Sequence, residues 1–192
     1  MEMTVNRNYL VLDKLTAADF KWRQFGGKNG ERYVQIELPE EYAKDLRNLG
    51  WRVKKRGKSA DLGGYMNSDN MDANLEDAHY FMSIKINYDS GVHIPDIWRI
   101  VEGYEDIMVL MVPSNQTSSK ERDLATLDKD YIKSAKLRIS HSKPNAKDGM
   151  MTPYLWDAKI TVSLSAMEDD FDDEEFEGRT QFVTDGPLPW EK

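Results

Sequence analysis

The chain has 192 residues, 40% of them hydrophobic, with 34 acidic against 26 basic side chains, a net charge of −8 and a pI near 5.0. It has no cysteine, which excludes disulfides, thiolate metal sites and cysteine nucleophiles, and its length suits one ordinary core. The N-terminal residues are polar and no apolar run approaches the roughly 18 to 20 residues of a membrane span, so a soluble, intracellular protein with no membrane partner is expected.

In chain order, strands are predicted near Phe20–Phe25 and Arg32–Leu38. A helix is predicted between Pro39 and Leu49, with Pro39 in its first turn, Glu40 and Glu41 at its positive end and Gly50 to stop it. Tyr42, Leu46 and Leu49 would form its buried stripe. After a strand near Trp51–Lys55, residues 57–78 contain Gly-Gly, Asn-Ser-Asp-Asn and little apolar pattern, which predicts a long mobile loop. Tyr80–Tyr88 alternates most clearly, with Tyr80, Met82, Ile84, Ile86 and Tyr88 on one face and Phe81, Ser83, Lys85 and Asn87 on the other. A strand follows near Ile97–Val101, and Ile107–Val112, apolar throughout, reads as a central strand. A short helix is expected over Asp128–Lys133. Ala135, Leu137 and Ile139 then alternate with Lys136, Arg138 and Ser140, and Tyr154, Trp156, Ala158, Ile160, Val162 and Leu164 would line one face of a long final strand.

Seven or eight strands with one main helix predict a mainly β fold, an oligonucleotide-binding (OB)-like closed barrel over residues 1–165. The remaining residues, 166–192, read as a disordered acidic C-terminal tail. They hold ten acids against Arg179 and Lys192, so the whole net charge of −8 sits in the tail and the body is neutral.

The neutral body has two basic segments. Trp51–Lys58 carries five cations in eight residues and Lys133–Lys147 carries five more, neither with an acid. On a strand, Arg52, Lys54 and Arg56 share a face and could follow a phosphate backbone. A barrel can bring the two segments into one groove, with Phe25, Tyr33, Phe81 and the tryptophans nearby for base stacking; a solvated basic strand is the plainer reading of either segment alone. Trp51 and Trp156 read as core. Phe25 precedes Gly26-Gly27-Lys28, where bare backbone beside a cation could approach a phosphate. The widely separated His79, His93 and His141 lack metal-ligand spacing. Pro95-Asp96 with Asp157-Ala-Lys159 is the one pattern resembling a metal-dependent nuclease. No cofactor and no metal site is expected.

In Phe25-Gly-Gly-Lys28, Gly30-Glu-Arg-Tyr33, the helix leading into Gly50-Trp-Arg-Val-Lys54, Tyr80–Tyr88, Leu127-Asp128, Ala135-Lys-Leu-Arg-Ile139, Gly149 and Tyr154-Leu155, the chain resembles a family of bacteriophage single-stranded DNA-binding proteins with an OB-like core. The resemblance spans about Phe20 to Ser165. It implies sequence-tolerant binding of single-stranded DNA, without enzymatic activity, protecting strands during phage replication or recombination in the cytoplasm of the infected host cell. The implied DNA contacts are Trp22, Arg23, Phe25, Lys28, Arg32, Arg52, Lys54, Arg56, Phe81, Lys85, Lys136 and Arg138. Proteins of this kind commonly end in an acidic tail with a terminal aromatic that recruits replication and repair enzymes. Here Asp169, Asp170, Asp172, Asp173, Glu174, Glu175 and Trp190 match that tail, although Glu191 and Lys192 follow the tryptophan. A homo-oligomer is compatible with the sequence. The competing expectation is a protein-interaction or DNA-mimic module whose acidic run is itself the active surface.

Overall fold

A computed structural model of the protein describes residues 1–163 apart from 7, 29–30, 60–62, 88–92 and 113–121; the side chains of 22–24, 26–28, 31, 105–107 and 122 also fall outside the description. The acidic tail, with its candidate residues from Asp169 to Trp190, and Leu164 therefore lie outside the described residues.

The described elements are β1 (Glu2–Val5), β2 (Leu10–Leu15), β3 (Phe20–Lys28), β4 (Glu31–Leu38), α1 (Glu40–Asn48), β5 (Lys54–Ser59), β6 (Tyr65–Ser68), β7 (Leu75–Ile86), β8 (Asp96–Val101), β9 (Tyr104–Val112), β10 (Arg122–Asp123), β11 (Ile132–His141) and β12 (Pro153–Val162). The fold is mainly β with one α-helix among the described residues, as expected. All these strands join one sheet, whose main path runs β1-β2-β11-β12-β7-β4-β3. The β5–β6 hairpin branches from β7, and β8 with β9 branches from β12. Among the described residues no ladder joins β1 to β3, so the pairings form an open, branched sheet instead of a closed ring. No described helix is long and apolar enough to cross a membrane.

Alternation places the core on one face. Val34, Ile36 and Leu38 of β4, Met82, Ile84 and Ile86 of β7, Leu137 and Ile139 of β11, and Ala158 and Ile160 of β12 pack there with Leu10, Leu12 and Leu15 of β2. The helix starts after Pro39 and buries Ala43 and Leu46. Leu49, expected in the buried stripe, is 55% exposed. The helix has already ended at Asn48, and Gly50 turns the chain at φ +87°, so that Trp51 fills the core position instead.

Several expectations shift for identifiable reasons. The loop expected over 57–78 contains the end of β5, all of β6 and the start of β7. Its strands are polar because the hairpin is held by the backbone ladders of β5 to β7 and of β6 to β5. The helix expected at Asp128–Lys133 is a 3-10 turn over Leu124–Asp128, capped by the Asp123 carboxylate, which accepts from the Ala125 N–H at 2.9 Å, and anchored by buried Leu124 and Leu127. The strand expected at the centre, β9, pairs along its length with β8 and, among the described residues, on its other side only with the two-residue β10.

The hairpin depends on a close approach at Gly57. A Cβ there would lie 2.6 Å from the Glu76 carbonyl oxygen and 2.8 Å from Leu75 Cβ, beside the register shift between Arg56 and Lys58. Gly57→Ala should therefore cost about 1–3 kcal/mol in urea unfolding, whereas Gly64→Ala, with nothing within 4 Å, should stay within about 0.5 kcal/mol of the parent. Equal effects would mean that β5 can back away from β7 freely.

Candidate nucleic-acid interface

The site is organised by β12. Along β11 the partners run Leu137↔Ala158 and Arg138↔Asp157, then jump to Ile139↔Leu155, so Trp156 is an extra, bulged residue. Because strand side chains alternate with period two, one inserted residue exchanges the faces of everything beyond it. Leu155 is buried with Ala158 and Ile160, while Tyr154 and Trp156 turn outward and are half-buried. This corrects the reading of Trp156 as core and of Tyr154 as its inward neighbour.

At Tyr154 the sheet also changes partner. Tyr154 pairs with Lys85 of β7, whereas Asp157 to Val162 pair with β8. Since Lys85 also pairs with Tyr33 of β4, and Tyr154 with Ser140 of β11, the row Tyr33, Lys85, Tyr154, Ser140 crosses four strands on the outward face. At about 4.8 Å between strands, the two tyrosines stand about 10 Å apart with a lysine between them.

Tyr33, Lys85 and Tyr154 of this row line an open groove of about 590 Å³ together with Arg32, Arg52, Lys54 and Gln35. One wall is held by the turn between β11 and β12. Met151 N–H donates to the Gly50 carbonyl at 2.8 Å and Arg52 N–H to the Met151 carbonyl at 3.0 Å, fixing the segment that carries Arg52 and Lys54. The floor is cross-linked by Gln35 Nε2 donating to Ser83 Oγ at 2.9 Å. Beyond Tyr154 the surface continues into a second hollow, lined by Asn87, His93, His141 and Trp156. There the His93 ring stacks on Trp156 with centroids 3.6 Å apart, and Tyr9 meets Trp156 edge-on at 5.5 Å.

The groove cations are differently engaged. Arg52 pairs with Asp148 at 2.6 Å and Lys54 lies 4.0 Å from Asp69. A hydrogen bond from the Met150 N–H, with Arg52 adding to it, holds the Asp148 carboxyl below its ordinary range. Lys85 is exposed and has no ion-pair partner among the described residues. Exposed pairs contribute only about 0–1 kcal/mol, so an incoming phosphate can exchange with these carboxylates at small cost.

Of the twelve DNA-contact candidates, the groove brings together Arg32, Arg52, Lys54 and Lys85. Arg56 and Phe81 line a separate pocket beside it. Lys136 and Arg138 stand on the outward face of β11, paired with Asp13 at 2.6 Å and Asp157 at 3.1 Å, and do not line the groove. Arg138 also sits 5.9 Å over the Tyr9 ring. Phe25, expected to stack on bases, is fully buried against Phe20, with ring centroids 6.1 Å apart. The irregularity between Lys21 and Gln24 in the β3–β4 ladder moves it onto the core face. The side chains of Trp22, Arg23 and Lys28 lie outside the description. Sequence reasoning named Tyr33 only as a neighbour and missed Tyr154, whose outward turn depends on the bulge.

The nuclease-like residues do meet. Asp96 and Asp157 are neighbours in the parallel β8–β12 ladder, with Lys159 two residues further along β12. Arg138 already holds Asp157, and no cluster of three metal-ligating side chains is found among the described residues.

No protein-family model matches the chain, and no curated protein or solved structure matches it at a significant level.

The bulge can be tested apart from any ligand. Deleting Trp156 joins Leu155 directly to Asp157, where plain alternation still leaves Leu155 inward opposite Ile139 and Tyr154 outward opposite Ser140, so the deletion should cost no more than about 1–2 kcal/mol in urea unfolding. Trp156→Ala, which keeps the register, should cost about 1 kcal/mol. A deletion costing more than about 3 kcal/mol would mean that Leu155 leaves the core when Trp156 is removed, and that Trp156 is not the extra residue.

Proposed function

We propose that the protein is a non-enzymatic binder of single-stranded DNA with little sequence preference, protecting strands in phage replication or recombination within the infected host cell. The observation that carries this reading is the aromatic–cation–aromatic row of Tyr33, Lys85 and Tyr154 in an open groove with Arg32, Arg52 and Lys54. Cations that neutralise phosphates beside rings that stack on bases make a surface tolerant of sequence, because every base has a π face. An OB-like barrel belongs to the same proposal. It is supported by the branching of β7, which meets β4 on one edge and successively β5 and β12 on the other.

The acidic tail completes the proposal. Tethered to the same chain at high effective concentration, Glu168 to Glu177 competes with DNA and, once displaced, leaves the Trp190 end to recruit replication or recombination proteins. The facing register of Asp96 and Asp157 favours one second reading, a metal-dependent nuclease.

One anisotropy experiment separates these readings, using a labelled 30-mer, single-stranded and then duplex, titrated across a salt series with the full chain, a truncation after Ser165 and the Lys85→Ala variant. The expected outcome is preference for the single strand, tighter binding by the truncation at low salt, and a salt slope lower by about 0.7 for Lys85→Ala. No DNA binding by either the full chain or the truncation would instead favour the protein-interaction or mimic reading, and strand cutting on adding magnesium or manganese the nuclease.

A further inference from the structure

Next to the groove, the outward face holds a pocket of about 230 Å³ lined by Lys21, Glu37, Arg56, Tyr65, His79 and Phe81. The ladder between β4 and β7 runs without a break from groove to pocket. Tyr33↔Lys85 and Gln35↔Ser83 line the groove, and Glu37↔Phe81, the next pair on the same face, lies in the pocket. At about 3.3–3.4 Å per residue this places the pocket some 13 Å from the tyrosine row. Lys54, which lines the groove, pairs directly with Phe81, and Arg56 with His79.

Three features of the pocket are unlike an ordinary surface dimple. Phe81 is only 2% exposed, yet it stands outside the contiguous core and forms an apolar floor on the outward face. Tyr65, on the β5–β6 hairpin, is 61% exposed and provides a wall. Glu37 is the one carboxylate of the lining, with Lys21 3.0 Å from its Oε2 and His79 Nδ1 against its Oε1. Burial pushes the Glu37 carboxyl up, but the hydrogen bonds from Lys21 and His79 outweigh it and hold the group below its ordinary range. The group is therefore ionised at neutral pH, and a carboxylate has about four acceptor sites, so two partners leave capacity for a third donor.

We propose that this pocket takes one nucleobase of the bound strand, laid against Tyr65 above the Phe81 floor, with Glu37 accepting a hydrogen bond from an exocyclic amino group. The proposal rests on the single-stranded DNA reading and deepens it by giving one subsite a base preference. Cytosine presents an amino donor on its pairing edge, which suits a carboxylate. Thymine presents carbonyl oxygens on either side of its one N–H, and these face the carboxylate repulsively. Lys54 and Arg56 at the rim would hold the flanking phosphates.

The test compares labelled oligo-dC and oligo-dT 15-mers at neutral pH, with the full chain, Glu37→Gln and Tyr65→Ala. The full chain should prefer dC by about tenfold, the equivalent of one base-specific contact. Glu37→Gln should bring the ratio close to one, because an amide offers a donor to thymine as readily as an acceptor to cytosine. Tyr65→Ala, at an exposed position that leaves the fold intact, should lower dC affinity more than dT affinity. Equal, tight binding of both oligonucleotides by the full chain would overturn the pocket assignment and leave the DNA-binding reading standing. A dC preference unchanged in Glu37→Gln would overturn the role of that carboxylate. Binding of neither oligonucleotide would overturn both readings.

Discussion

One strand, β12, has to satisfy three neighbours, and the outward surface follows from how it does so. It pairs with β11 along its length, touches β7 only at Tyr154, and runs beside β8 from Asp157 onward. The bulge at Trp156 falls between the last two, where the strand leaves one neighbour and takes up the other. A bulge adds a residue and increases local twist, which suits a sheet that must branch at that point. It also keeps Leu155 in the core while aiming Tyr154 and Trp156 outward. Were Trp156 paired in plain alternation, Leu155 would face outward and Tyr154 inward, and the row linking β4, β7 and β12 would lose its second ring.

The chemistry of the surface rests on a similar compromise. A neutral body with basic patches keeps its cations partly neutralised, with Arg52 on Asp148, Arg138 on Asp157 and Lys136 on Asp13. Such exposed pairs contribute little to stability, but they lower the local potential and make the surface selective for a ligand that offers more than charge. A flexible strand offers phosphates and base faces together, and the spacing of Tyr33, Lys85 and Tyr154 presents partners for both. The tail carries the chain's entire negative excess; under the proposed function it would compete for the groove with a strength that falls as salt rises.

Much of the scaffold was legible in the sequence. The alternation over Tyr80–Ile86 and Ala135–Ile139, the helix between Pro39 and Gly50, and the burial of Trp51 follow from periodicity and from where proline and glycine sit. What was not legible depends on register. The shift in β3 that buries Phe25 and the bulge in β12 that exposes Tyr154 each change a face by one residue, and nothing local marks either insertion. The β5–β6 hairpin was hidden for a different reason: its strands are held by backbone ladders and carry polar side chains on both faces, so hydrophobic pattern is silent there. Among the candidate contacts, the cations were easier to place than the aromatics. An arginine or lysine is outward under almost any register, whereas an aromatic is outward only under one.

The central claim is that the Tyr33–Lys85–Tyr154 row is the surface a single strand touches. Photocrosslinking of a single-stranded oligonucleotide carrying 5-iododeoxyuridine, followed by peptide mass mapping, reads that contact directly. The account predicts adducts at Tyr33 and Tyr154. Adducts confined to the exposed tyrosines elsewhere on the surface, Tyr104 and Tyr131, would contradict it.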